Sequence, residues 1–226
     1  MTTQSEFAGN PIFIPERLDA RAPLHELLSH RRSPRAFSER AIEPSKIVSL
    51  FEAARWSPSS ANEQPWNFMA ATKDDTRVYN VVAESLMEGN RRWALHAPLL
   101  VVGIAQSTYL KAGKPYRHAW YDLGQSIANM TVQATSQGLS VHQMGGFDAS
   151  QLRTGLSIPE GYDVVVVLAI GYAERPETLP DDLRSREEAP RMRKPLEAFV
   201  FTDAWGEPSH HVAPKNYSLN TQSSSN

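Results

Sequence analysis

A layered α+β domain, with helices on both faces of a central sheet, is what this chain predicts, and three observations carry the reading. Four runs of strand length, at 67–72, 98–105, 139–144 and 163–170, are separated by stretches whose apolar residues recur at helical spacing. The run at 98–105 is continuously apolar, as expected of a strand covered on both faces. The chain of 226 residues is long enough to bury a full core without staples, and neither a repeat nor a linker interrupts it. One domain over 1–226 is the simplest account, with an N-terminal arm at 1–20 and a C-terminal extension at 206–226.

The elements follow in order. Leu24, Leu27 and Leu28 recur at helical spacing up to a basic run, so a helix delivers Arg31 and Arg32 near its C-terminal end, and Pro34 stops it. Pro44 sits where a first helical turn tolerates it, and Ile47, Val48, Leu50, Phe51 and Ala54 continue an amphipathic helix that ends at Ser57-Pro58. After the strand at 67–72, Asp74-Asp75 offers an N-cap for a helix through Val78, Val81, Val82 and Leu86. The longest helical pattern, 116–137, carries Trp120, Leu123, Ile127 and Met130, with Gly124 and Ala128 four apart and Gly138 as its cap. Asp148 and Gln151 form a capping-box pattern that opens a short helix before the strand at 163–170. Beyond Gly171 a Pro- and charge-rich stretch, 174–190, reads as a surface excursion, and 196–201 is apolar again. The polar segment 216–226 is expected to fray.

Composition narrows the function classes. Cysteine is absent, which removes disulfides, thiolate metal sites and cysteine nucleophiles and fits a reducing cytosol. A net charge of −2 and a pI near 6.4 give no global attraction to nucleic acid or anionic membranes, so any basic site must be local. Residues 1–20 hold one basic residue, Arg17, and Pro11 and Pro15 interrupt their apolar residues, so no signal-peptide core is expected. No apolar run approaches membrane-spanning length. The expectation is a cytoplasmic protein with a small-molecule substrate and neither a nucleic-acid nor a membrane partner.

Several familiar motifs are missing. The chain has no G-x-G-x-x-G, no Walker loop and no G-x-S-x-G elbow. His25 and His30 are five apart, which on a helix points them roughly 140° apart and defeats shared metal ligation. His210-His211 reads as solvated, and no metal is assigned.

Two segments carry chemistry. Arg31-Arg32-Ser33-Pro34-Arg35 packs three guanidinium groups and a hydroxyl into five residues. Arginine's planar fork matches two phosphate oxygens at once and stays charged at physiological pH. Some twenty residues on, Ser57-Pro58-Ser59-Ser60-Ala61-Asn62-Glu63-Gln64-Pro65-Trp66 offers hydroxyls and amides ending on an aromatic. Together they suit a phosphorylated, planar ligand with a polyhydroxyl chain.

With Gly145-Gly146-Phe147-Asp148 and Arg191-x-Arg193-Lys194-Pro195-Leu196, these motifs occur in an order that resembles the FMN-dependent nitroreductase family, over residues 24–205. The resemblance implies a three-layer α-β-α fold, with a mixed central sheet flanked by helices and a C-terminal strand exchanged in a homodimer. It implies FMN as cofactor and NAD(P)H as co-substrate, with hydride passing through flavin N5 to a nitroaromatic, quinone or enone by a ping-pong mechanism. Arg31, Arg32, Ser33 and Arg35 then meet the phosphate and nearer cofactor, Arg35 reaching the N1–C2 edge, while Arg191 and Arg193 supply a second basic pair. Pro58, Ser59, Ser60 and Asn62 match the loop that reaches the neighbouring subunit's cofactor, and Met144, Gly145 and Gly146 match the turn beside N5 and O4. No protein side chain is expected to act as a covalent catalyst. Without the resemblance, Arg191 reads as a surface charge beside Glu187 and Glu188, and Gly145-Gly146 as an ordinary turn. Phe37 and Trp66 read as core packing. The stretches 87–95 and 107–117, short and basic where relatives carry a segment over the substrate pocket, leave the acceptor open. Other readings are a flavin-binding protein without turnover, or a branch that performs reductive dehalogenation or azoline dehydrogenation.

Overall fold

In the computed structural model, which describes residues 20–109 and 113–212, the four runs become strands close to their predicted bounds. They are β1 (Trp66–Thr72), β2 (Leu99–Gln106), β5 (Ser140–Met144) and β6 (Tyr162–Gly171). Two short strands, β3 (Thr108–Tyr109) and β4 (Lys114–Pro115), form a separate ribbon over part of the basic 107–117 stretch. All but the last residue of the predicted arm at 1–20, and the fraying tail at 216–226, lie outside the described residues.

The main sheet has the order β1-β2-β6-β5, which leaves β1 and β5 at opposite edges. The expectation of mixed pairing is corrected for these strands, because all three pairings are antiparallel. Connectivity explains it. Thr72 at the end of β1 faces Leu99 at the start of β2, so the intervening chain returns to the end of the sheet it left. A parallel neighbour needs a crossover running the length of the strands.

Helices cover both faces, which gives the three layers the sequence predicts. On one face, α3 (Thr76–Ser85), α4 (Glu88–Ala94) and α6 (Ala149–Gly155) pack Val82, Trp93 and Leu152 against Leu100, Val102 and Val167. On the other, α2 (Pro44–Arg55) and α5 (Ala119–Ser136) pack Leu50, Leu123 and Met130 against Leu99, Val101 and Leu168. Side-chain alternation along β2 assigns odd positions to one face and even positions to the other. In β6 that alternation slips at Val165, which the register skips: Gly103 pairs with Val166 and Ile104 with Val164. A Cβ at Gly103 would sit 2.8 Å from Val166 Cγ1, so glycine lets the strands close at this bulge.

Local signals hold at three helix ends. Pro44 is the first residue of α2, and Asp148 caps α6 by accepting from the Gln151 amide at 2.9 Å. Gly138, at φ +72°, ends α5 with two bonds, Gly138 N–H to Thr135 O and Leu139 N–H to Ala134 O, of a Schellman cap. Other signals are overridden. Asp75 precedes α3, but its carboxylate takes the amide and hydroxyl of Thr72 instead of capping the helix. Trp120 sits at core spacing on α5 yet is exposed, its indole donating to Asp163 at 2.8 Å. The stretch 87–95 holds α4, whose Trp93 is among the largest fully buried side chains. The 174–190 excursion contains a 3-10 turn (Pro176–Thr178) and helix α7 (Asp181–Glu188).

The chain divides into two compact units, 1–189 and 190–226. All elements named so far belong to the first. In the second, the apolar 196–201 segment is not a continuous strand: Leu196–Ala198 is a 3-10 turn, and Phe201 makes a single antiparallel bridge to Pro208. Left-handed residues Asp203 and Gly206 turn the chain between them. The backbone here is satisfied locally, with Ser209 N–H donating to Val200 O and Thr202 N–H to Glu207 O.

Candidate functional site

Helix α1 (Glu26–His30) ends where predicted, and the arginine segment leaves it past edge strand β5. The contact is specific: His142 Nδ1, in the middle of β5, lies 2.8 Å from the Pro34 carbonyl. A carbonyl only accepts, so Nδ1 carries the proton. The imidazole packs against Trp93 of α4 with ring centroids 4.3 Å apart, and Phe37 stacks on the same indole at 6.2 Å. Phe37 is thus core packing, as the sequence suggested, and Trp66 packs against the opposite cluster.

Burial pushes the His142 pKa down to about 4, reinforced by the nearby Arg35 and Arg31 charges and opposed by the Pro34 and Ser33 carbonyls. The fold therefore holds the neutral ring, while the unfolded chain binds a proton below about 6.5. Stability from this group is complete above that pH and is lost as pH falls through about 4. We expect about 3 kcal/mol of acid destabilisation from His142 between pH 7 and 4, largely removed in His142→Gln. Urea unfolding of both proteins at several pH values measures it, and equal acid losses reject the assignment.

Three residues beyond His142, about 10 Å along the strand, lies the glycine turn. Met144 is buried. A Cβ at Gly145 would meet nothing within 4 Å, so this position faces open space. Gly146 is closely held: its carbonyl accepts from the Met87 amide at 3.1 Å and Asn90 Nδ2 at 3.0 Å. A Cβ there would approach Asn90 Nδ2 to 2.9 Å, so a larger residue would have to displace the Asn90 amide from the Gly146 carbonyl.

Glu187, near the end of α7, is the residue that sequence reading missed. It lies in the stretch that reads as a surface excursion, yet only 7% of it is exposed. Its carboxylate accepts the Arg35 amide on both oxygens, at 3.1 and 3.0 Å, and lies 3.6 Å from Arg35 Nη1. Its carbonyl accepts from Arg32 Nη2 at 2.9 Å. Arg31 Nη1 donates to Ser33 Oγ at 3.0 Å. The structure therefore brings Arg31, Arg32, Ser33 and Arg35 together beside the strand that leads to the turn.

It does not bring the second loop to them. Residues 58–64 precede β1, on the opposite edge of the sheet, three strand spacings or roughly 14 Å from β5. Their anchor is Asp122 in α5, only 1% exposed, which accepts the Ser60 amide at 3.1 Å and the Tyr116 hydroxyl at 2.7 Å. Ser59 Oγ accepts the Gln64 amide, and Ala61, Asn62 and Gln64 all have left-handed backbone. Pro58, Ser60 and Asn62 are exposed. Arg191 and Arg193 belong to the second unit, where Arg193 donates to the Met192 carbonyl at 2.7 Å.

An α+β protein with clustered guanidinium groups and an open glycine turn at one sheet edge is the class these features define. The sequence profile of the Nitroreductase family matches residues 28–172, and the chain belongs to that family. A crystal structure described as an oxidoreductase containing FMN is similar at 33% identity and a TM-score of 0.77, covering 82% of this chain and 94% of that one. An uncharacterized 15.4 kDa protein of Mycolicibacterium smegmatis is 36% identical over 41% of this chain and 62% of its own length. A putative NADH dehydrogenase/NAD(P)H nitroreductase of Stenotrophomonas maltophilia is 27% identical over 77% of this chain and 97% of its own. Relatives named for other chemistry include iodotyrosine deiodinase 1 of Sus scrofa, at 26% identity, and 5,6-dimethylbenzimidazole synthase of Rhodospirillum rubrum, at 24%.

Proposed function

We propose that the protein is an FMN-dependent NAD(P)H oxidoreductase that works as a homodimer on a small organic acceptor. The observation that carries this reading is the convergence of Arg31, Arg32 and Arg35 beside His142, one short strand segment from the open Gly145. The donor set fits FMN: guanidinium groups and the Ser33 hydroxyl suit the phosphate end, and a bare turn admits a flat ring edge. The cofactor, when bound, supplies the two-electron carrier, and the chain supplies binding, orientation and electrostatics. Arg31, Arg32 and Ser33 would hold the phosphate end, with Arg191 and Arg193 as the second basic pair. Arg35 would place a fixed positive charge where reduction builds negative charge, the same logic as an oxyanion hole. Met144, Gly145 and Gly146 would offer backbone groups to the ring edge.

Two features support the dimer. Loop 58–64 lies on the far sheet edge from the arginine segment and is largely exposed, which supports the reading that Pro58, Ser59, Ser60 and Asn62 serve a neighbouring chain's site. Leu24, Leu28, Val48, Trp56, Trp120 and Tyr121, on or beside α1, α2 and α5, are each more than half exposed, an apolar surface of the kind that marks an interface. Exchange of the 196–201 segment between subunits belongs to the same proposal, as do one domain-level function for the whole chain and a cytoplasmic location.

The test is spectroscopic and kinetic. The purified protein is expected to be yellow, with about one FMN per chain, and anaerobic NAD(P)H is expected to bleach it. Steady-state rates with NADPH and a quinone or nitroaromatic are expected to give parallel double-reciprocal lines, because one shared pocket serves donor and acceptor in turn. A colourless protein that ignores added FMN rejects the reading. Flavin that binds but never bleaches points instead to a flavin-binding protein without turnover.

A further inference from the structure

We infer that Glu187 and His142 together clamp a single peptide plane, that between Pro34 and Arg35, and that Glu187 is thereby the positioning residue that sets both the aim and the effective charge of Arg35. The inference rests on the site reading proposed above. The Pro34 carbonyl accepts from His142 Nδ1 at 2.8 Å, while the amide of the same peptide, on Arg35, donates to both Glu187 oxygens at 3.1 and 3.0 Å. One face of the clamp is β5 and the other is α7. Neither is loosely held: Leu183 of α7 is buried in the core, and Asp182 takes a two-pronged bond from Arg92 of α4 at 2.7 and 2.8 Å.

With the plane fixed at both ends, the start of the Arg35 side chain is fixed as well. The Glu187 carboxylate also sits 3.6 Å from Arg35 Nη1, so it offsets part of the charge that Arg35 presents. A buried carboxylate is rarely the most stabilising choice for a core position, where an apolar residue of similar volume often does as well or better. Here its two oxygens and the adjacent carbonyl reach Arg35 and Arg32 from one residue, a geometry that a hydrophobic side chain cannot supply.

The experiment compares Glu187→Gln and Glu187→Ala with the full-length wild-type protein, reading FMN dissociation constant, flavin midpoint potential and thermal stability of the apoprotein. Glutamine keeps an acceptor for the Arg35 amide but removes the charge. It is expected to hold FMN at least as tightly as wild type and to favour the reduced over the oxidised flavin by about tenfold more, a rise of about 30 mV for a two-electron couple. Alanine removes clamp and charge together and is expected to weaken FMN binding tenfold or more. If Glu187→Gln does not fold, Glu187→Asp keeps the charge but withdraws it by one methylene, and it is expected to weaken FMN binding with a smaller change in potential. A folded Glu187→Gln protein with unaltered potential, or an alanine variant with unaltered FMN affinity, overturns the inference while leaving the flavin reading intact. Wild-type protein that binds no FMN overturns the flavin reading itself.

Discussion

Replacing Arg31 and Arg32 together with alanine is expected to raise the FMN dissociation constant about a hundredfold. A hydrogen bond to a charged group contributes about 1.5–3 kcal/mol, and about 1.4 kcal/mol is a factor of ten, so each guanidinium lost accounts for tenfold or more. The two neighbours share a site, and their effects need not add, so the single variants are measured as well. Arg32 is the sharper probe. It commits one donor to the Glu187 carbonyl, and a guanidinium carries five. Riboflavin separates the causes, because it has the ring and ribityl chain but no phosphate. Binding of riboflavin is expected to change little in the variants while FMN binding collapses. An equal loss for both ligands would mean that the arginines hold the fold or the ring, and the phosphate assignment would fall.

What was legible in the sequence, and what was not, divides along the range of the interactions. The strands at 67–72 and 98–105, the proline that starts α2, the Schellman glycine after α5 and the Asp148 cap are all decided within a few residues, and each was readable. The arginine segment and the glycine turn were readable as motifs, and the structure joins them through His142, which no local pattern marks. Glu187 carries no local signal because it lies in a charged stretch next to Glu188, and its partner Arg35 is 152 residues away. Asp122 has no local pattern to mark it, because its partner at Ser60 lies 62 residues back. Trp120 followed the apolar spacing of α5 and still faces outward, because spacing identifies an apolar stripe without saying what covers it. The antiparallel order was hidden for the same reason, since it depends on where helical connections return.

Asp122→Ala is expected to cost about 2–4 kcal/mol of stability and to loosen a site that does not contain Asp122. The carboxylate is buried and takes two donors, and the Tyr116 hydroxyl that it holds also reaches the Ser60 carbonyl at 3.1 Å. Burial first, and then the Asp122 carboxylate, push the Tyr116 pKa above its ordinary value, so the phenol stays protonated and keeps donating. Truncation leaves the Ser60 amide without its acceptor and the Tyr116 hydroxyl with the longer Ser60 carbonyl contact alone, and an unmet buried donor costs about 1–3 kcal/mol before relaxation. Relaxation is available, because Ala61, Asn62 and Gln64 are held in left-handed backbone that non-glycine residues adopt at a cost. Without its anchor, loop 58–64 is expected to abandon that conformation, and FMN binding to weaken although Arg31, Arg32 and Arg35 are untouched. Urea unfolding and FMN titration measure the two effects; a variant as stable as wild type would reject the anchor. Mixed dimers then decide whose site the loop serves. When Arg32→Ala chains are combined with Asp122→Ala chains, an exchanged loop leaves one of the two sites with intact arginines and an intact loop, so half the sites regain wild-type affinity. A loop that served its own chain would leave both sites impaired.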